Sequence, residues 1–166
     1  MNDLVYDIRI PSSVFNKAYI PSLTNTARFE NIMGGAGSGK SVFAAQKKVY
    51  QHLNDGRRNT LVVRNVGKTN RHSTFPEIID VINKWKVRDL FTINKTDMTI
   101  TRKGGGQFMF AGLDDVEKLK SIKFPNGILT DILVEEATEC KEDDIVQLNL
   151  RMRGQSPFPF QNDIVV

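Results

Sequence analysis

One stretch limits what this chain can fold into: Gly34-Gly35-Ala36-Gly37-Ser38-Gly39-Lys40-Ser41, which fits the pattern GxxxxGK[ST] at every fixed position. Its glycines let the backbone turn tightly, so that successive N–H groups converge on one anion. A helix must follow at once, because its N-terminal N–H groups and the positive end of its dipole face the same anion. The flanks meet these demands. Residues 29–33 read as a short strand. Residues 41–53 read as a helix, with Val42, Ala45, Val49 and Leu53 at helical spacing. The expected ligand is a nucleoside triphosphate, ATP foremost, held with Mg2+. Lys40 would reach the β- and γ-phosphates, and the Ser41 hydroxyl would ligate the metal. The plainer alternative, a glycine loop without a ligand, sits poorly with a strand before it and an amphipathic helix after it.

The rest of the chain alternates strands and helices, which predicts an α/β domain with a mainly parallel central sheet and flanking helices. Residues 1–28 read as irregular, broken by Pro11 and Pro21. Asn54-Asp55-Gly56 closes the first helix, with Gly56 as a left-handed cap. Residues 60–64 form a buried strand. A helix over 75–86 carries Ile78, Ile79, Ile82 and Trp85 on one face, with Trp85 expected in the core. Residues 91–112 alternate with period two around turns at Lys95-Thr96 and Gly104-Gly105-Gly106, which predicts an antiparallel meander. A short helix is expected over 116–121, an apolar strand over 128–134, a helix over 143–150 and a last strand over 162–166. The chain stops inside that strand pattern. A longer protein, of which residues 1–166 are one domain, is therefore expected.

Composition narrows the classes further. No apolar run approaches membrane-spanning length. The acidic N-terminus lacks the layout of a signal peptide, so an intracellular protein is expected. The lone Cys140 excludes an internal disulfide and a CxxC zinc pair. His52 and His72 are too few and too far apart to suggest a metal site, and His52 is expected on a helix surface. A net charge of +4 and a pI near 9.2 are compatible with a phosphate-rich partner without requiring one.

A phosphate loop needs a second acid for the magnesium shell, commonly at the end of a neighbouring buried strand. Ile132-Leu133-Val134-Glu135-Glu136 has that form. Glu135 would complete the metal site, directly or through water, and Glu136 would polarise the attacking water. Asp131 competes for the metal role but lies inside the strand pattern. A solvated acidic turn is the alternative for the pair. Two adjacent carboxylates repel, so a cation is expected beside them. Candidates to sense the γ-phosphate are Arg64 at the end of the second strand, Arg71 just beyond it, and Arg151 and Arg153. Lys118, Lys120 and Lys123 precede the acidic strand. Any of these could instead meet DNA phosphates.

Taken together, GGAGSGKS after a strand, VVRN followed by Arg71, the KLKSIKF segment and LVEEATE resemble the large terminase subunit of tailed bacteriophages, nearest its PBSX-type branch. The likeness spans nearly the whole chain. It implies a P-loop NTPase of the additional-strand, catalytic-glutamate type, acting as an ATPase motor that moves double-stranded DNA into a prohead in the host cytoplasm. It implies catalytic roles for Lys40 and Glu136 with Arg64 or Arg71, and a metal held by Ser41 and Glu135. Implied partners are a small terminase subunit, a portal protein and further copies in a ring, with no membrane. The family's nuclease domain would lie outside this chain. Residues 8–21 resemble the stretch that contacts adenine there. In one departure, Ala36 stands where the family often has arginine, which leaves that task to Arg64, Arg71 or a neighbouring subunit. The other readings are another additional-strand motor, such as a helicase or RecA-like ATPase, and a nucleotide-binding module without turnover.

Overall fold

Runs of β-branched and aromatic residues build the sheet at the centre of the molecule. The computed structural model describes residues 7–152 and the backbone of 163–165. Its strands are β1 (Phe29–Glu30), β2 (Thr60–Arg64), β3 (Phe91–Asn94), β4 (Thr99–Arg102), β5 (Gln107–Gly112), β6 (Asp131–Val134) and β7 (Asp163–Val165). They form one sheet in the order β1-β7-β6-β2-β5-β4-β3. From β1 to β5 all neighbours are parallel, while β4 and β3 add on antiparallel. The expected meander is therefore present, joined to the parallel part through β5. β7 lies between β1 and β6, so an extra strand separates the loop-bearing strand from the acidic one.

The helices are α1 (Ile20–Leu23), α2 (Lys40–Asn54), α3 (Thr74–Lys84), α4 (Val116–Ser121) and α5 (Glu142–Arg151). Strand alternation sends side chains to both faces. On one face, Val62, Leu133, Phe108 and Ile100 pack with Ala45 and Val49 of α2 and Ile78 and Ile82 of α3. On the other, Leu61, Val63, Ile132 and Val134 pack with Leu119 of α4 and Leu148 of α5. Helices α2 and α3 on one face and α4 and α5 on the other thus cover both sides, as a buried parallel sheet requires.

Several expectations need correction. β1 is only two residues long; residues 31–33 already belong to the loop. The 1–28 region is less irregular than its prolines suggest. It holds 3₁₀ turns at Ser12–Val14 and Lys17–Tyr19 as well as α1. Asn16 caps the second turn by accepting from Ala18 N at 3.0 Å. Gly56 is not a left-handed cap: Asp55 ends α2 in an extended conformation, and Gly56 is absent from the positive-φ positions. A Cβ there would lie 2.7 Å from the Lys103 carbonyl oxygen, so the site needs glycine for close approach. Trp85 is half-buried at the margin of the core, edge-on to Phe15. Of the expected last strand, residues 162 and 166 lie outside the described residues, as does Arg153.

His52 differs most. It is fully buried, stacked on Phe108 with centroids 3.9 Å apart, and its Nε2 lies 2.9 Å from Thr60 Oγ1. Burial, followed by the charges of Arg58, Lys48 and Arg102, pushes its pKa well below the ordinary 6.5. The unfolded chain therefore takes up a proton that the folded chain refuses. Stability should be fully present above pH 6.5 and should fall by up to ~1.4 kcal/mol per pH unit below it, until the folded-state pKa is passed. Urea melts at stepped pH test this: His52→Gln should flatten that slope relative to the parent, and identical slopes would remove His52 from the account.

Candidate functional site

The glycine-rich loop leaves β1 and delivers the chain into α2. Gly37 and Gly39 take φ values of 75° and 80°, which L side chains rarely adopt. Gly39 is the N-cap of α2, and its carbonyl accepts from Phe43 N at 2.9 Å. Gly34 is required for another reason: a Cβ would collide with the Ser38 side chain and approach the Tyr19 hydroxyl. The Ser38 hydroxyl is buried, with no hydrogen-bond partner among the described residues. Gly35 and Ala36 are exposed at the tip. Lys40 Nζ reaches back to within 3.5 Å of the Gly35 carbonyl oxygen, a long contact that keeps the ammonium beside the loop.

Two residues upstream brace this loop. Asn16 Nδ2 donates to the Ser38 carbonyl at 3.2 Å, and the Tyr19 ring stacks on Phe43 of α2 at 5.1 Å. Neither role follows from the sequence pattern alone. The signal available was an Asn placed to cap a turn in Phe15-Asn16-Lys17-Ala18-Tyr19.

Across the sheet edge stand the acids. β6 ends at Val134, whose register partner on β2 is Val63, and Glu135 N donates to the Val63 carbonyl at 2.9 Å. Glu135 is thus level with Arg64. Its Oε2 accepts from the Ser41 hydroxyl at 3.4 Å, so the expected metal pair is brought together. Burial pushes the Glu135 carboxyl above the ordinary glutamate range. The Ser41 hydrogen bond and the charge of Arg64 pull it back, Glu136 adds to the rise, and Lys40 opposes it. A buried carboxylate beside a hydroxyl gains from a hard cation, and these oxygen donors fit magnesium.

Glu136 adopts left-handed backbone angles, φ 55° and ψ 47°. This conformation costs a non-glycine residue about 1 kcal/mol or more. It sets the side chain against Arg64, whose Nη2 forms an ion pair with Glu136 Oε2. Arg64 Nη1 also donates to Ser73 Oγ at 2.5 Å. The cation expected beside the acids is therefore Arg64. Arg71 lies elsewhere: its guanidinium donates to the carbonyls of Lys95 and Thr96 at 3.0 and 3.3 Å, in the β3–β4 turn. Arg151 donates to the Ile122 carbonyl at 3.1 Å. Asp131 begins β6 at the opposite edge of the sheet, buried with Lys48 and Arg58, and does not compete for a metal at this site.

A pocket of about 940 Å³ opens between the loop and the acids, lined among others by Met33, Gly35, Lys40, Ser41, Glu135 and Glu136. An ammonium and a helix N-terminus on one wall suit phosphates. A hydroxyl with two carboxylates on the other suits a hydrated cation.

A phosphate loop on one strand, an acidic pair on another and an extra strand between them define a P-loop NTPase of the additional-strand type. Residues 26–166 match the family model described as phage terminase large subunit, and this chain belongs to that family. It is 31% identical over 125 residues to the PBSX phage terminase large subunit of Bacillus subtilis (strain 168), covering 75% of this chain. It is 30% identical over 118 residues to the terminase large subunit of Bacillus phage SPP1, covering 70%. The chain spans 28% of the length of each of these relatives. Among solved structures, the fold resembles the large terminase ATPase domain of Thermus phage P74-26, with TM-score 0.61 and 12% identity over 86% of this chain and 60% of that one. It also resembles the large terminase of a thermophilic bacteriophage in complex with ATP-γ-S, with TM-score 0.53 and 16% identity over 82% of this chain and 31% of that one.

Proposed function

We propose that this chain is the ATP-hydrolysing motor domain of a viral DNA-packaging terminase, driving double-stranded DNA into a prohead. The observation that carries the hydrolytic part is the array at one sheet edge: Lys40 and Ser41 from the loop, Glu135 and Glu136 after β6, and Arg64 at the end of β2. In this reading, the loop residues Gly34, Gly35, Ala36, Gly37, Ser38 and Gly39 wrap the phosphates, and Lys40 neutralises the β- and γ-oxygens. Ser41 and Glu135 hold Mg2+, which when bound offsets charge on the phosphates. Glu136 orients and deprotonates water. Its ion pair with Arg64 occupies the carboxylate, so Arg64 must leave Glu136 before that step. The freed guanidinium can then turn to the γ-phosphate, which makes Arg64 a better candidate than Arg71 for the charge-stabilising role. The solved relative bound to ATP-γ-S supports ATP as the nucleotide.

The family supports the wider setting: duplex DNA, a small terminase subunit, a portal protein and a ring of copies in the host cytoplasm, with an endonuclease elsewhere in the whole protein. Among the described residues no helix is long and apolar enough to cross a membrane. The test is phosphate release from ATP and Mg2+ with and without linear duplex DNA. DNA-stimulated release is expected. ATP bound without any release, with DNA and partner proteins present, would favour a binding module without turnover.

A further inference from the structure

Three cavities outside the nucleotide pocket adjoin, each sharing lining residues with the next. The first, about 760 Å³, lies at the C-terminal end of β5 between the 3₁₀ turn Gly67–His72 and α4, and Lys68, Arg71, His72 and Lys118 line it. The second shares Arg71 and His72 with it and continues along α3 to Lys95. The third shares Ile79, Asn83 and Lys95 with the second and reaches Arg88 beside the edge strand β3. The result is an open groove with cations spaced along it.

Its acids are committed to local structure. Asp114 Oδ1 accepts from Gly67 N at 2.8 Å, Asp115 caps α4 by accepting from Lys118 N at 2.9 Å, and Asp97 Oδ2 accepts from Asn94 Nδ2 at 2.7 Å. Asp80 pairs with Lys84. Lys68, Lys95 and Lys118 are exposed, and their ammonium groups have no hydrogen-bond or ion-pair partner among the described residues. Arg71 sits at the midpoint, anchored to the floor through the Lys95 and Thr96 carbonyls. Uncommitted ammonium groups along an extended open track suit a linear polyanion, because each can neutralise a separate phosphate.

We propose that this groove holds the phosphodiester backbone of double-stranded DNA through Lys68, Lys95 and Lys118. The assignment rests on the DNA-motor reading and adds a location to it. The groove lies on the same sheet edge as the nucleotide pocket, and the strand order places β5 four strand spacings, or roughly 20 Å, from β1.

The test uses the whole 166-residue chain and a fluorescein-labelled 30-base-pair duplex, with anisotropy read from about 50 to 200 mM salt. The triple variant Lys68→Ala, Lys95→Ala and Lys118→Ala should raise Kd by about tenfold to a hundredfold and should lower the salt slope by about 2–3, near 0.9 per lost phosphate contact. Lys103→Ala, past the end of β4 at the other sheet edge, should bind like the parent. Binding of a fluorescent ATP analogue should be unchanged in both. Equal duplex affinity and slope in parent and triple variant would overturn the proposal, as would an equal loss in Lys103→Ala. A parent that binds the ATP analogue but no duplex also overturns it and leaves the nucleotide site standing. Loss of analogue binding in the parent would count against the motor reading itself.

Discussion

Lys40→Ala should lose nucleotide, whereas Glu136→Gln should keep it and stop turning it over. Lys40 is the cation beside the loop, and its charge-assisted bonds to phosphate are worth about 2–3 kcal/mol, a weakening of roughly thirty- to a hundredfold or more. Glu136→Gln preserves shape but removes the proposed base, which should cut kcat by about 10²–10⁴. It also removes the charge partner of Arg64, so ATP affinity should hold or rise as that guanidinium becomes available. Equilibrium binding and single-turnover phosphate release, measured on both variants, separate the two effects. Parent-like turnover in Glu136→Gln would show that another group activates water. Parent-like binding in Lys40→Ala would mean the loop does not hold phosphate as described.

The second large effect is on stability, far from the nucleotide. Asp131 is completely buried where β6 begins. It accepts from Arg58 and from the Thr130 hydroxyl, with Lys48 Nζ at 3.7 Å. Asp131→Ala deprives two buried cations of a carboxylate, which should cost about 3–5 kcal/mol. For a domain of this size that is a drop in Tm of roughly 6–20 °C. Denaturant melts report it directly. A loss below about 1 kcal/mol would mean that the cations find other partners at little cost.

The parts of the fold legible in the sequence were those fixed by short-range rules. The 34–41 loop, the bounds of β2 and of α4, and the meander all follow from local pattern. So does the acidic pair, whose mutual repulsion called for a cation that proves to be Arg64. What stayed hidden depends on partners far along the chain. Helical spacing on α2 groups Val42 with Ala45, Val49 and Leu53, and His52 is expected on the surface. Yet Val42 is 41% exposed, while Lys47, Lys48 and His52 are buried. Lys47 is buried because it pairs with Glu30 on β1, and Lys48 because it faces Asp131 on β6. No periodicity within α2 can reveal a carboxylate on another strand. Gly56 failed for a similar reason: its constraint is the backbone of Lys103, not its own helix. Arg71 lay close to Arg64 in sequence, but the turn between β2 and α3 directs it to the meander.

Arg64 holds a carboxylate with one nitrogen and the hydroxyl that opens α3 with another. A guanidinium is a planar fork of fixed angles, so it cannot turn towards a nucleotide and keep both of these partners. The Ser73 hydroxyl in turn donates to the Thr69 carbonyl, within the Gly67–His72 turn that walls the lysine-lined groove. If the groove takes DNA, the two ligands then compete for, or cooperate through, one set of bonds. Linkage makes the exchange symmetric: whatever factor DNA applies to the nucleotide's affinity, the nucleotide must apply to the DNA's. A grip that tightens in one nucleotide state and slackens in the next would then need no separate signalling element.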